Sequence, residues 1–379
     1  MTVLAIKLGD PGDVLLTTPA LQALHATIGQ VDMLVRPHCV PILQRAPFVR
    51  RIVTTDQRAH LNPLEWHDNR RRREDIRALA SLRRQQYEGM ILMHHLTTWQ
   101  GTARWVLLSS LLGIPLRIGL DNGRGRFLSH SVHDRGFGAM HEADYWSLLA
   151  VLYVDAVAGP GLLPPSALWL PASPDDVAWA ETWHRTALGD APFIAIHPGS
   201  GRYIEARRWP VGNYAALTKR IVQQGYRVVV VGTDVEQALA QQCGVGNVPG
   251  VYSLLGETSI GRLAAVLARS SGFVGNDSFP MHLAAAADVP LVAIFGPTNA
   301  AAWGPWPRSR TWFKVLVKRP WCQPCIYRGH QFGRRQGCLT RPCLTATTPA
   351  EVTQALWNVL AAKAQASTSG HSEADTRMR

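Results

Sequence analysis

No stretch of the sequence holds the roughly 18 consecutive apolar residues that a membrane-spanning helix needs, so no helical span is expected. The first eight residues lack a basic segment followed by an apolar core and a cleavage site, and read as a first strand of a cytoplasmic protein. The glycine fingerprint G-x-G-x-x-G is missing, which argues against a dinucleotide cofactor. Cysteine is scarce, six in 379 residues, too few for a disulfide scaffold. Carboxylates are short as well: 27 Asp and Glu stand against 39 Lys and Arg, for a net charge of +12. This imbalance favours an anionic partner, whether nucleic acid, a phosphorylated substrate or an anionic membrane surface. Nucleic acid fits least. The aromatics are not interleaved with the basic stretches, and no RNA-recognition or helix-turn-helix pattern occurs.

What is present is globular: 46% hydrophobic and 17% charged residues, in a chain long enough for two domains. The organising stretch is 272–286. An apolar run stops at Asn276-Asp277-Ser278, and an Ala-rich helical run begins near Pro280. Asp277 or Ser278 suits a helix N-cap, and Pro280 suits the first turn. Unpaired amides at such a helix start attract anions and sugar hydroxyls. Residues 291–295 form a further buried run ending at Gly296-Pro297. In open parallel sheets ligands bind at the carboxyl ends of strands, which is where Asp277, Ser278, His282 and Gly296 would lie. Helix capping by Asp277 alone is the plainer alternative.

Strand-like runs occur at 3–8, 31–35, 51–55, 90–95 and 115–120, with a Gly-containing turn at 9–13 and a helical run at 14–26. Asp13 stands where that helix begins, as a cap or as a carboxylate base. The arginine run 70–73 is either a solvated helix face or a phosphate clamp. His94 and His95 are adjacent on a strand and so point to opposite faces, which argues against a shared metal and leaves one of them to face the cleft. Pro and Gly concentrate at 159–165, the best linker candidate, and a second strand and helix series follows from 193. Two such series suggest an α/β protein of two facing Rossmann-like domains with an interdomain cleft. Cys322, Cys325, Cys338 and Cys343 form C-x2-C-x12-C-x4-C, with His330 inside. The first pair has zinc-ligand spacing and the second is looser, leaving structural zinc, reduced thiols or a disulfide open.

Four ordered pieces carry a family resemblance: Lys7 with Gly12-Asp13-Val14-Leu15-Leu16-Thr17-Thr18-Pro19; His197-Pro198-Gly199-Ser200-Gly201 with Arg208-Trp209-Pro210; Gly275-Asn276-Asp277-Ser278 with Met281-His282; and Phe295-Gly296-Pro297-Thr298 with Trp303-Gly304-Pro305. In this order they resemble glycosyltransferase family 9, the lipopolysaccharide heptosyltransferases. The resemblance implies a GT-B fold divided into an acceptor-binding domain (1–165), a nucleotide-sugar-binding domain (166–348) and a final helix (349–364) crossing back to the first domain; the polar, small-residue composition of 365–379 reads as a disordered tail. It implies inverting transfer of a heptose from ADP-L-glycero-β-D-manno-heptose to a Kdo- or heptose-bearing lipid A acceptor, at the cytoplasmic face of the inner membrane. The positive charge would attract the protein to that anionic surface.

Asp13 matches the family's proposed general base. The leaving nucleoside diphosphate needs fixed donors, for which Ser200, Gly201, Arg207 and Arg208 are the candidates. Arg207 aligns with a phosphate-contacting Lys of other members. By the same resemblance Glu236 would contact the ribose, and Asn276, Asp277, Ser278, His282 and Gly296 the sugar and nucleotide. Lys7, Gly12, Thr17, Arg70, Arg73, His95 and Arg117 are assigned to the acceptor. No cofactor or catalytic metal is required. Phe279 departs from the family's usual Gly and Asp10-Pro11 from its usual small residues, which puts the donor sugar in question. The competing readings are a family 9 enzyme using another nucleotide sugar, a nucleotide-sugar 2-epimerase of the same architecture, and a basic nucleic-acid-binding protein with a zinc knuckle.

Overall fold

The computed structural model describes residues 2–55, 69–201, 204–326, 334 and 336–376; side chains are described except at 69–75 and 369–376. The chain divides into two compact units, Met1–Pro171 and Ala172–Arg379. The first holds strands β1 (Val3–Lys7), β2 (Val31–Val35), β3 (Val49–Thr54), β4 (Gly89–Leu92), β5 (Leu116–Asp121) and β6 (His130–His133). They form one sheet in the order β3-β2-β1-β4-β5-β6, every neighbouring pair parallel. The second unit holds β7 (Phe193–His197), β8 (Arg227–Val230), β9 (Val251–Ser253), β10 (Gly272–Asn276), β11 (Leu291–Phe295) and β12 (Phe313–Val317). Their order, β12-β11-β10-β7-β8-β9, is the same winding, again all parallel.

Why these runs become central strands is visible in their burial. β1, β2, β7, β10 and β11 are buried at every position, the condition of parallel strands covered on both faces. Leu4, Ile6, Leu34 and Leu92 pack with Trp105 in the first unit; Ile194, Ile196, Val274 and Ile294 pack with Trp209 and Tyr214 in the second. Burying each such aliphatic side chain contributes about 1.5–3 kcal/mol.

Four sequence expectations shift. The single helix expected at 14–26 is two, Pro11–Leu15 and Thr18–Ile28, because Thr17 and Thr18 turn their hydroxyls back onto the carbonyls of Val14 and Leu15, both at 2.7 Å. The unit boundary lies at Pro171 rather than 165. Residues beyond the Pro-rich run are held by the first unit: Trp169 N donates to Thr18 Oγ1 at 3.0 Å, and the Trp169 ring meets Phe48 edge-on. The last helix is Pro349–Thr376, so helix continues into the segment expected to be a tail. Its Val352, Leu356 and Val359 belong to the core of the second unit. β6, β9 and β12 were not foreseen.

In both sheets the winding reverses beside the first strand, between β1 and β4 and between β7 and β10. The loops leaving these four strands at their carboxyl ends diverge there, opening the crevice where doubly wound sheets bind ligands.

Candidate active site

At the switch point of the first unit, β1 delivers Lys7 and then the Gly9–Asp13 turn. Lys7 is only 5% exposed. Its Nζ lies 3.8 Å from Glu142 Oε2 and 4.1 Å from the centre of the Trp146 ring. Asp13 lies in the first turn of the Pro11–Leu15 helix. Its Oδ2 accepts a 2.9 Å hydrogen bond from the Asp10 amide, which pins the carboxylate against the turn. Arg36 is bonded to Asp10 from the next strand at 3.2 Å.

Leaving β4, His94 and His95 diverge as adjacent strand residues must. The Leu8 amide donates to His94 Nε2 at 2.7 Å, and the ring stacks on Trp105. Burial, aided by the charges of Lys7, His95 and Arg36, pushes the His94 pKa well below its ordinary value. His95 is the reverse case. Burial alone would lower its pKa, but Asp134 on Nδ1 and Glu142 on Nε2, both at 2.9 Å, raise it to about 9. Lys7, Glu142, His95 and Asp134 thus form one buried chain of alternating charge. Asp134 also accepts from the Gly136 amide at 2.8 Å, and its pKa falls below the usual carboxylate range because His95 outweighs the burial cost.

At the switch point of the second unit, Asn276 ends β10 fully buried. Its Oδ1 accepts from the Trp209 amide and the Tyr214 hydroxyl; its Nδ2 donates to the carbonyls of Pro198 and Gly199. One side chain therefore fixes the loop after β7 against the start of the Val211–Gln223 helix. Asp277 follows at 5% exposure. Thr298 Oγ1 donates to its Oδ2 at 2.6 Å, and Arg207 Nε lies 3.6 Å from the same oxygen. Ser278 occupies the N-cap position of the Phe279–Ala286 helix without a capping side-chain bond; its hydroxyl donates to the Asn276 carbonyl and stands 2.9 Å from His197 Nδ1. The far nitrogen of His197 is 3.4 Å from Glu236 Oε2.

Glu236 is held by the Thr233 amide at 3.0 Å and the Thr233 hydroxyl at 3.2 Å. Burial would raise its pKa, yet the bond and charge of His197, with the Thr233 bonds, bring it to about 2. Its other oxygen, Oε1, is buried without a hydrogen-bond partner among the described residues. That oxygen sits where a Gly199 Cβ would project, so only glycine leaves room for it. A buried carboxylate oxygen lacking a donor costs roughly 1–3 kcal/mol. Among the described residues no hydroxyl or amine donates to it.

Residues 76–334 match the sequence profile of glycosyltransferase family 9 (heptosyltransferase). The chain belongs to glycosyltransferase family 9. Lipopolysaccharide heptosyltransferase 2 of Escherichia coli (strain K12) is 25% identical over 313 residues, 79% of this chain and 84% of that protein. The structure of the E. coli ADP-heptose lps heptosyltransferase II superposes with a TM-score of 0.69 at 22% identity, covering 96% of this chain and 99% of that one. E. coli heptosyltransferase WaaC, solved with ADP, gives a TM-score of 0.68 at 19% identity over 95% and 100% of the two chains. The fold is GT-B, and the protein is a glycosyltransferase.

Not every residue singled out in the sequence lies at the carboxyl edge of its own sheet. Lys7, Gly12, Asp13 and His95 gather at the carboxyl edge of the first sheet; Ser200, Gly201, Arg207, Glu236, Asp277, Ser278 and His282 gather at that of the second. Asn276 is there too, but all its side-chain groups are engaged within the protein, so it builds the site rather than offering it a donor. Arg208 likewise binds Ser200 Oγ and the Gly201 carbonyl, both at 3.2 Å. Ser200 donates to the Ile204 carbonyl. This leaves Arg207 as the cation beside Asp277. Gly296 is a packing residue, since a Cβ there would strike Leu344.

Two acceptor assignments are corrected. Thr17 is fully buried, with its hydroxyl on the Val14 carbonyl. Arg117 is the second residue of β5 and pairs with Met90 near the strand starts, at the amino edge of the sheet and away from Asp13. Arg70 and Arg73 lie in the Asn69–Arg83 helix with side chains outside the described residues. His330 also lies outside them. Among the described residues no group of three or more His, Cys, Asp or Glu is arranged to hold a metal. The four clustered cysteines are all free thiols. Burial first, then the neighbouring Cys325, Cys338 and Cys322, push the Cys343 pKa up to about 11.

The sequence reading overlooked Thr298, His197, Asp134 and Glu142 as polar partners. Thr298 and His197 were within the quoted motifs and directly follow buried runs, which was the available signal. Asp134 and Glu142 carried none, because they reach His95 from 39 and 47 residues away.

Proposed function

We propose that the protein transfers a heptose from ADP-L-glycero-β-D-manno-heptose to the inner core of a lipid A-anchored acceptor, with inversion, the first unit taking the acceptor and the second the donor. The observation that carries the donor side is Glu236 Oε1, a buried carboxylate oxygen with no hydrogen-bond donor among the described residues, beside the β7 loop. A ribose hydroxyl supplies one. Arg207 is the cation for the diphosphate, and the relatives, an ADP-heptose lps heptosyltransferase II and a lipopolysaccharide heptosyltransferase 2 among them, support the same substrates. An acceptor hydroxyl attacks the anomeric carbon as the bond to the diphosphate oxygen breaks. Asp13 takes the hydroxyl proton, and Arg207 meets the charge growing on ADP. The acceptor lipid lies in a membrane, so the enzyme works as a peripheral protein on the cytoplasmic, anionic face of the inner membrane. Among the described residues no helix is long and apolar enough to cross one.

A second reading, transfer from another nucleotide sugar, is favoured by Phe279. This partly buried aromatic opens the helix that follows Ser278, where family members usually carry Gly. Thermal-shift titration with ADP, UDP, GDP and CMP separates the two. Stabilisation by ADP alone supports the first reading; stabilisation by UDP or GDP instead replaces it with the second. Transfer is then measured with Asp13→Ala, which is expected to abolish turnover with ADP binding intact. Near-normal turnover would remove Asp13 as the base.

A further inference from the structure

The Trp99–Leu112 helix follows β4 in the first unit and is apolar on two sides. Thr102, Trp105, Ser109 and Leu112 face inward and are buried. The opposite stripe is Trp99, Gln100, Ala103, Val106, Leu107, Ser110 and Leu111, spaced at three and four residues and exposed throughout. Trp99 is 68% exposed, Leu107 60%, Leu111 47% and Val106 38%. A helix on a water-facing surface ordinarily turns charge outward; this stripe carries none. Contiguous exposed apolar surface of this kind marks an interaction site.

Its surroundings are basic. From residue 89 to residue 120 the sequence contains no Asp or Glu. Arg104 lies on the same helix, and Arg124 stacks on the Trp99 ring at 5.2 Å, bonded to the carbonyls of Leu96 and Thr97. The arginine-rich Asn69–Arg83 helix packs alongside and adds exposed Arg77, Arg83 and an exposed Ile76. An outward apolar stripe with Trp at one end and arginines on its flanks has the chemistry of an interfacial helix. The apolar residues enter the headgroup boundary while the cations meet lipid phosphates. The N-terminal end of the stripe directly follows the carboxyl end of β4, the same sheet edge that carries Lys7 and Asp13.

We infer that the outward stripe of the Trp99–Leu112 helix docks the enzyme on an anionic lipid bilayer, bringing the acceptor edge of the first unit to the membrane plane. This deepens the proposed function and rests on its reading of a membrane-held acceptor.

The test uses the full chain and the double variant Leu107→Glu/Leu111→Glu, with Trp99→Ser as a second, milder variant, and thermal melting to verify that each is folded. Co-sedimentation with phosphatidylglycerol/phosphatidylethanolamine vesicles is expected to fall about tenfold in the double variant and severalfold in Trp99→Ser. The unaltered protein is expected to bind neutral phosphatidylcholine vesicles far more weakly. Transfer to a deacylated, soluble acceptor is expected to stay within about twofold, while transfer to the same acceptor anchored in vesicles falls with vesicle binding. Undiminished vesicle binding by folded variants, or no preference for anionic vesicles, overturns the docking surface. So does a dimer that the double variant dissociates while vesicle binding is unchanged, which would make the stripe a contact between copies. Loss of the stripe's vesicle binding alongside no transfer to any acceptor by the unaltered protein would instead overturn the proposed function and leave the docking surface standing.

Discussion

Thr298 donates a 2.6 Å hydrogen bond to Oδ2 of Asp277, joining the end of β11's loop to the end of β10. Gln323 supports the same loop from the cysteine-rich segment, donating to the carbonyls of Gly296 and Thr298 at 3.2 and 2.9 Å. The Cys325 and Ile326 amides both donate to the Pro297 carbonyl between them. The cysteine-rich segment therefore braces the loop that follows β11. Thr298→Val keeps the shape and removes the donor from a carboxylate that is nearly buried. A cost of about 1–3 kcal/mol is expected for that oxygen. Initial-rate kinetics should show a rise of about tenfold in the donor KM, with the acceptor KM unchanged. Equal rises in both would detach Asp277 from the donor.

His95 gives a stability signature in pH. Its folded pKa is about 9 against an ordinary 6.5. A raised pKa in the folded state means the imidazolium contributes its full stabilisation below pH 6.5 and loses it as pH rises through 9. The variant His95→Gln cannot carry the charge between Asp134 and Glu142. The gap in Tm between the protein and this variant is therefore expected to be widest below about pH 6.5 and to narrow steadily toward pH 9. Differential scanning at several pH values measures it, and a gap that does not narrow on the alkaline side would contradict the ion-pair chain.

Much of the architecture was legible because the buried parallel strands are continuous apolar runs. β1, β2, β7 and β11 could be read nearly to the residue. β6, β9 and β12 lie at or beside sheet edges and lack that signal: β6 is His130-Ser131-Val132-His133, mostly exposed, and β9 has three residues. The motif residues at the ends of β1, β7 and β10 were also legible, since a Gly-rich turn after an apolar run locates the carboxyl edge. The division of labour among them was not. Asn276 reads like a ligand contact and is in fact a four-bond brace. Arg207 and Arg208 are adjacent and chemically identical, and only the fold sends one to Asp277 and the other to the Ser200 hydroxyl and the Gly201 carbonyl. Arg117 was misplaced although a signal was available: it stands at the start of its strand run, and only the carboxyl ends of the strands meet the crevice.

Glu236 titrates in the opposite sense to His95. Its folded pKa of about 2 is depressed from 4.5. The charged carboxylate therefore contributes stability above pH 4.5, and that contribution is lost as pH falls through the window from 4.5 to 2. Glu236→Gln removes the charge from beside His197, so its stability deficit should be full at neutral pH and shrink as acid is added. Independently, Glu236→Ala is expected to weaken ADP binding about tenfold by calorimetry, the loss of a charge-assisted bond to ribose. ADP affinity unchanged in this variant would send Glu236 back to a purely structural role.

Asp13 can be displaced without being altered. A Cβ built on Gly9 would lie 2.5 Å from the Asp13 Cβ and 2.6 Å from its Oδ2, inside any contact that carbon and oxygen tolerate. Gly9→Ala must therefore push the Asp13 carboxylate off the Asp10 amide or shift the whole turn. If Asp13 is the base, a misplacement of this size is expected to lower kcat by about a hundredfold, with ADP affinity unchanged because the second unit is untouched. Gly212 supplies the control. It sits near the start of the Val211–Gln223 helix with nothing within 4 Å of a built Cβ, so Gly212→Ala should keep full activity and gain up to about 1 kcal/mol of stability from the lower entropy of its unfolded chain. A fully active Gly9→Ala enzyme would mean that the reacting hydroxyl gives its proton to a group other than Asp13.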